Sequence, residues 1–313
     1  MPAQHATPNA PHRQPRKYAA EPFNSVSADY IFLTSDTVEF RVHKQILMMW
    51  SAFWQAQFLT IEEDRESEVG RAKFKHDRQG RPIIPVSEDS TTLDLLLRHV
   101  YPTDDVPTLS NFWEAFAVLE AARKYEIVSA VKTAKKAIAQ LAEVNPLRVY
   151  VLAAEKKFPH EMRTAAAAAL GHNIAEQYVQ ELENLPSGTY YRLLAYHRAC
   201  ARAVATRLSD LTWMEEIAER KGWRPGMFKC HDPGCGGMWF SDYISTIRQA
   251  LRTRPQAKTL EDAALADTAL AAGMACRFCR TTALADLRMF NTLLAAEINR
   301  ALETVRIFPL PHS

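Results

Sequence analysis

Asp29-Tyr-Ile-Phe-Leu-Thr-Ser35 is a β-rich run, Asp36-Thr37 offers a turn, and Val38-Glu-Phe-Arg-Val-His43 alternates apolar Val38, Phe40 and Val42 with polar Glu39, Arg41 and His43. A period of two on either side of a short turn predicts a β-hairpin with one buried face. From Lys44 the period lengthens, and Ile46, Leu47, Trp50, Phe53, Trp54 and Phe58 form one helical stripe. The segment from Glu62 to Arg81 is too polar for a core and reads as a loop. Arg81-Pro-Ile-Ile-Pro-Val86 reads as a short edge strand, where prolines are tolerated. Ser87-Glu-Asp-Ser-Thr91 then leads into a helix carrying Leu93, Leu96, Leu97 and Val100, stopped by Tyr101-Pro102. Two more helices follow, one bearing Phe112, Ala115, Phe116, Leu119 and Ala122, the other running from about Val128 to Ala142 with Val131, Ile138 and Leu141 inward.

Outside this β-β-α-β-α-α-α unit the strand signal disappears. Residues 1–24 read as a disordered arm: the first 22 hold five prolines and no large aliphatic side chain beyond Met1, too little apolar surface to offset chain entropy. His12, Arg13, Arg16 and Lys17 make that arm basic. Asn145-Pro146 starts a new helix, and residues 143–222 read as a helical extension broken at Pro186-Ser-Gly188. Gly222-Trp-Arg-Pro-Gly226 marks a further boundary. Residues 223–313 form a cysteine-containing segment that ends in an amphipathic helix marked by Leu284, Leu287, Leu294, Ile298, Leu302 and Val305.

The 313 residues are 47% apolar and carry 38 Lys plus Arg against 36 Asp plus Glu, a net charge of +2. That balance argues against a strongly basic nucleic-acid binder. No apolar run reaches the roughly 18–20 residues that span a bilayer, so a soluble intracellular protein, cytoplasmic or nuclear, is expected, without membrane partners. Five cysteines and no Asn-x-Ser/Thr acceptor agree with a reducing compartment.

Residues 29–141 resemble a BTB/POZ domain, a protein-interaction fold. The likeness rests on Asp29-Tyr-Ile-Phe-Leu33, Val38-Glu-Phe-Arg-Val-His-Lys-Gln-Ile-Leu47, Ser51-Ala-Phe-Trp54, Pro85-Val-Ser-Glu-Asp-Ser90 and Leu119-Glu-Ala-Ala-Arg-Lys-Tyr125. The last two phrases are similar to the BTB proteins abundant in mushroom-forming fungi, and the cysteine-bearing C-terminal half looks similar as well. The fold class implied is α+β: an N-terminal BTB/POZ domain over residues 25–142, a short β-sheet capped by a helical cluster, then a mainly α-helical C-terminal half. The resemblance gives Asp29, His43, Lys44, Ser51 and Phe53 structural roles. It also implies protein partners, self-association, and in some members recruitment of a cullin-type ubiquitin-ligase scaffold. Ile61-Glu62-Glu63, three residues after Phe58, resembles the hydrophobic-x-Glu triplet of such adaptors; a solvated acidic loop is the alternative. Trp50, Trp54, Phe58, Ile61 and Glu63 are therefore the expected partner-binding residues, with Trp50 and Trp54 equally readable as core. With only a Pro-rich arm before the hairpin, a monomer or an unswapped dimer is expected.

Cys230 and Cys235 bracket His231-Asp-Pro-Gly234, and Cys276 and Cys279 form a Cys-x-x-Cys before the last helix, with 40 residues between the pairs. Four thiolates at such spacings can present a tetrahedron to a structural zinc ion, with His231 as a substitute ligand. Unliganded thiols and a disulfide or redox role are the alternatives, and Cys200 reads as a small core residue. Catalytic patterns are missing: His160-Glu161 lacks the second histidine of a zincin, because Thr164 stands there, and no nucleophile elbow, phosphate loop or dinucleotide fingerprint occurs. The expectation is a non-enzyme: a homotypic scaffold or cullin adaptor. The alternative is a nuclear regulator meeting nucleic acid through Lys221, Trp223, Arg224, Lys229, Trp239, Arg248, Arg252, Arg254 and Lys258.

Overall fold

Hydrogen bonding along the Asp29–His43 stretch builds the centre of a five-stranded sheet with order β1-β3-β2-β5-β4. A computed structural model describes residues 17–65, 74–103, 107–214, 230, 232 and 234–306. Strand β2 (Tyr30–Leu33) pairs antiparallel with β3 (Val38–Val42), placing Phe32 opposite Phe40. The turn between them is closed by the Thr34 hydroxyl, which accepts from the Val38 amide at 2.9 Å. On the outer side of β3 lies β1 (Lys17–Tyr18), parallel to it; on the outer side of β2 lies β5 (Pro82–Pro85), also parallel, followed by antiparallel β4 (Lys75–His76).

Two expectations change here. Residues 17–24 are not part of an arm: β1 joins the sheet, the Ala19 amide donates to Glu39 at 3.0 Å, and Phe23 is fully buried between Phe40 and Tyr101. Pairing with a distant strand outweighs the local proline composition, and it also buries Glu39 on what the alternation assigned to the wet face. The rest of the arm, with His12, Arg13 and Arg16, lies outside the described residues. β5 is likewise internal rather than an edge. Its prolines sit at its two ends, so the middle amides of Ile83 and Ile84 remain available between β2 and the two-residue β4.

The Glu62–Arg81 segment, read as a loop, contains the end of a helix and β4; residues 66–73 lie outside the described set. Asp77 organises the β4–β5 turn. Its carboxylate accepts from the amides of Gln79 and Arg81 at 2.9 Å each and from two Arg81 guanidinium nitrogens at 2.9 and 2.7 Å. Burial works against the Asp77 charge, but the Arg81 amide and guanidinium outweigh it and hold the carboxyl below its usual pKa. Stability from a depressed carboxyl is present above its unfolded pKa and is lost as pH falls through the folded value. Asp77→Asn is therefore expected to destabilise by on the order of 1–2 kcal/mol at neutral pH, and by progressively less in acid. Urea melts at several pH values check this, and a pH-independent difference would refute it.

The helical stripe after His43 is two helices, α1 (Lys44–Trp50) and α2 (Ala52–Arg65), because Ser51 leaves the helical region at φ −142°. Helix α2 packs its aromatics on the sheet: Trp54 stacks on Phe32 at 4.4 Å between ring centroids and Phe58 lies 4.5 Å from Tyr30. Helices α3 (Ser90–Leu97) and α4 (Phe112–Lys124) are capped by Asp89 and Asn111 side chains and bury Leu93, Leu96, Phe116 and Leu119. In α5 (Val128–Val144) the buried stripe is mainly alanine, Ala130, Ala134, Ala137 and Ala142, around Ile138.

The chain divides into two compact units, Met1–Ala137 and Ile138–Ser313. The second is helical. Helix α6 (Pro146–Glu155), capped by Asn145, packs on the alanine-rich α7 (Pro159–Ala168). Helices α8 (Ser187–Ser209), α9 (Met238–Thr253), α10 (Ala264–Ala275) and α11 (Ala283–Glu303) complete it. Val204 and Leu208 of α8, Tyr243 and Ile247 of α9, and Leu287, Phe290, Leu294 and Ile298 of α11 share one core. Leu284, placed on the apolar stripe by sequence, is exposed. The boundary expected near Gly222 lies outside the described residues.

Candidate functional site

The 40-residue interval between the cysteine pairs is taken up by α9, a short 3-10 turn and α10, with α10 packed back along α9. This hairpin brings Cys276 and Cys279 to Cys230 and Cys235. All four Sγ atoms lie within 4.8 Å of one another, with Cys230 and Cys276 at 3.5 Å and Cys235 and Cys279 at 3.8 Å. A disulfide needs about 2.05 Å, whereas a tetrahedron with Zn–S bonds of about 2.3 Å has edges of about 3.8 Å. The cluster thus has the size of a four-thiolate metal shell. His231, the substitute ligand, lies outside the described residues.

Backbone amides serve the sulfurs in a repeated pattern. The Asp232 N–H donates to Cys230 at 3.4 Å, Gly237 N–H to Cys235, and Cys279 and Phe278 N–H to Cys276. Amides aimed at sulfur favour thiolate, and with them the Cys276 thiol falls to about 7, while burial pushes Cys279 up to about 12 despite the indole N–H of Trp239 beside it. Gly236 and Gly237, at φ 52° and 77°, give the turn that swings an amide toward Cys235. That Cys-Gly-Gly signal is present in the sequence, but the role of Trp239 is not readable there: the nucleic-acid alternative needs its ring exposed for stacking, and it is buried. Four sulfurs complete a tetrahedral ligand set, the donor count of a structural site rather than a catalytic one. Cys200 is buried beside Tyr196, away from the cluster, and burial pushes its thiol up to about 11.

In the first unit, the residues given structural roles are tied into the fold. Asp29 accepts from the Lys44 amide at 3.0 Å, fixing the start of α1. The His43 amide donates to the Tyr101 phenol at 2.7 Å and its ring meets Ser27 at 3.0 Å. The Lys44 ammonium pairs with Glu62. Ser51, buried, donates to the Tyr125 carbonyl at 2.5 Å and accepts from the Trp54 amide at 3.0 Å, so one hydroxyl ends α1 and starts α2. Phe53 packs edge-on to Trp54 and Tyr125.

The residues expected to face a partner divide. Trp54, Phe58 and Ile61 are core residues, 4%, 0% and 4% exposed, because the helix break at Ser51 turns α2 onto the sheet. Trp50 is 49% exposed and Glu63 is exposed. Met49 and Leu59, not singled out by sequence, are the other large apolar side chains open on α1 and α2.

His160 lies 3.6 Å from buried Glu161, and Thr164 bonds its own helix, so no metal face forms there. Of the basic set, Arg254 pairs with Asp262, Lys258 with Glu143, and Arg248 donates to the Leu208 carbonyl. Lys221, Trp223, Arg224 and Lys229 lie outside the described residues. Among the described residues no helix is long and apolar enough to cross a membrane.

The family model of the BTB/POZ domain matches residues 22–141. No curated protein matches the chain.

Proposed function

We propose that this chain, with its BTB/POZ domain over residues 22–141, works as a non-catalytic scaffold that self-associates through α1 and α2. The observation that carries the reading is the exposure of Met49, Trp50 and Leu59 on those two helices, in a domain of a protein-interaction family. Apolar side chains of this size are common singly on a surface, and these three stand open on two adjoining helices, where association would cover them. The four-thiol cluster is, in this reading, a structural zinc centre of the second unit and takes no part in chemistry. Sedimentation of the full chain tests the proposal. The wild type is expected to dimerise at micromolar concentration, and a Met49→Asp, Trp50→Asp variant to sediment as a monomer that still unfolds in one cooperative transition per unit, short of the wild-type melting temperature only by what association adds. A wild type still monomeric at about 100 μM, a regime of affinity too weak for a scaffold, would overturn it.

A cullin adaptor is the second reading, favoured by the exposure of Glu63 at the end of α2. Ile61 is buried and Glu62 is engaged by Lys44, so Glu63 is the most open member of the triplet. Glu63→Arg is expected to abolish binding to a purified cullin amino-terminal domain. No binding by the wild type would end this reading and leave the scaffold.

A further inference from the structure

Helix α10 is 12 residues long and fully buries only Ala269 and Gly273, with Leu265, Ala266 and Leu270 partly covered. Two such small residues remove little apolar surface from water, and an isolated helix of this length is marginal in water even when alanine-rich. Its N-cap residue, Ala263, has no side chain that can cap, and the one side-chain bond to its first turn is the long one from the Ala264 amide to Asp262, at 3.3 Å. Yet its C-terminal end is pressed against the neighbouring helices: a Cβ on Gly273 would come within 3.0 Å of the Ala283 side chain and 3.3 Å of the Trp239 ring. The thiolate cluster sits at this same end. Cys276 is the residue that ends α10, Cys235 lies three residues before α9, and Cys279 four before α11.

We infer that one zinc ion, held by Cys230, Cys235, Cys276 and Cys279 as a closed tetrathiolate, is the anchor of α10. Metal loss releases this helix from α9 and α11 and leaves the BTB/POZ domain folded. The inference rests on the zinc reading of the cluster and adds to it a local structural consequence. Binding that forms only in the folded state is folding free energy, and for structural zinc it is large enough to outweigh the weak packing of α10.

The test is metal analysis and amide hydrogen exchange on the full chain, before and after chelation and after return of zinc. One equivalent of zinc is expected, and chelation should speed exchange of the residue 264–275 amides by about 100-fold, reversibly, with residues 115–122 unchanged. Cys276→Ser should show the chelated pattern in the presence of zinc; should that variant fail to fold, the chelated wild type decides. Protein that holds no zinc and takes up none overturns the zinc reading and the inference together. Stoichiometric zinc with unchanged α10 protection overturns the anchor and leaves the zinc reading standing. Loss of protection across both units overturns the anchor as well.

Discussion

Replacing Trp54 with alanine is expected to destabilise the first unit by about 3–5 kcal/mol, the usual cost of removing a buried aromatic side chain. The ring stacks on Phe32 at 4.4 Å and on Tyr125 at 5.0 Å, with Phe58 at 5.5 Å and Phe53 edge-on at 5.2 Å. Those partners come from β2, α2 and the residue that ends α4, so the lost ring leaves a cavity bounded by three elements that cannot all close in. Roughly 10–20 °C of melting temperature should be lost. Trp50→Ala, four residues earlier and half exposed, should cost little stability and act on self-association instead. Thermal melts of the two variants side by side settle the matter. Equal, small shifts would mean that Trp54 is not the centre of this core.

That contrast shows what the sequence could and could not convey. Two tryptophans four apart share a face on an unbroken helix, and the stripe from Ile46 to Phe58 gave no sign of a break. Ser51 makes one, by bonding the Tyr125 carbonyl and the Trp54 amide, a contact 74 residues away along the chain. The hairpin was readable because its period is local. Strand β1 was not, since two residues paired in parallel with a distant strand leave no periodic trace, and the prolines around them pointed to disorder. The cysteine set was readable by residue type and spacing alone. Which sulfurs approach most closely, Cys230 with Cys276 and Cys235 with Cys279, depends on the helical hairpin between them, as does the burial of Trp239 beside Cys279.

Phe290→Ala is expected to have the matching effect in the second unit, again about 3–5 kcal/mol. Phe290 is fully buried; Phe240 meets it edge-on at 5.0 Å, Tyr243 lies at 6.3 Å, and Trp213 stacks at 6.3 Å. One ring therefore joins α11 to α9 and to the segment after α8. The hydrogen bond from the Tyr243 phenol to Asn291, 2.7 Å long, survives the substitution and cannot replace the lost packing, because it fixes one edge of the interface and not its interior. Phe290→Leu keeps most of the volume and should cost about 1 kcal/mol. Hydrogen exchange resolves the consequence by position: amides of α9 and α11 should lose protection in Phe290→Ala, while those of β2, β3 and α4 keep theirs. Equal loss in both regions would show that the two units unfold as one, and the separate roles assigned to the interaction domain and the metal-anchored helices would then have to be joined.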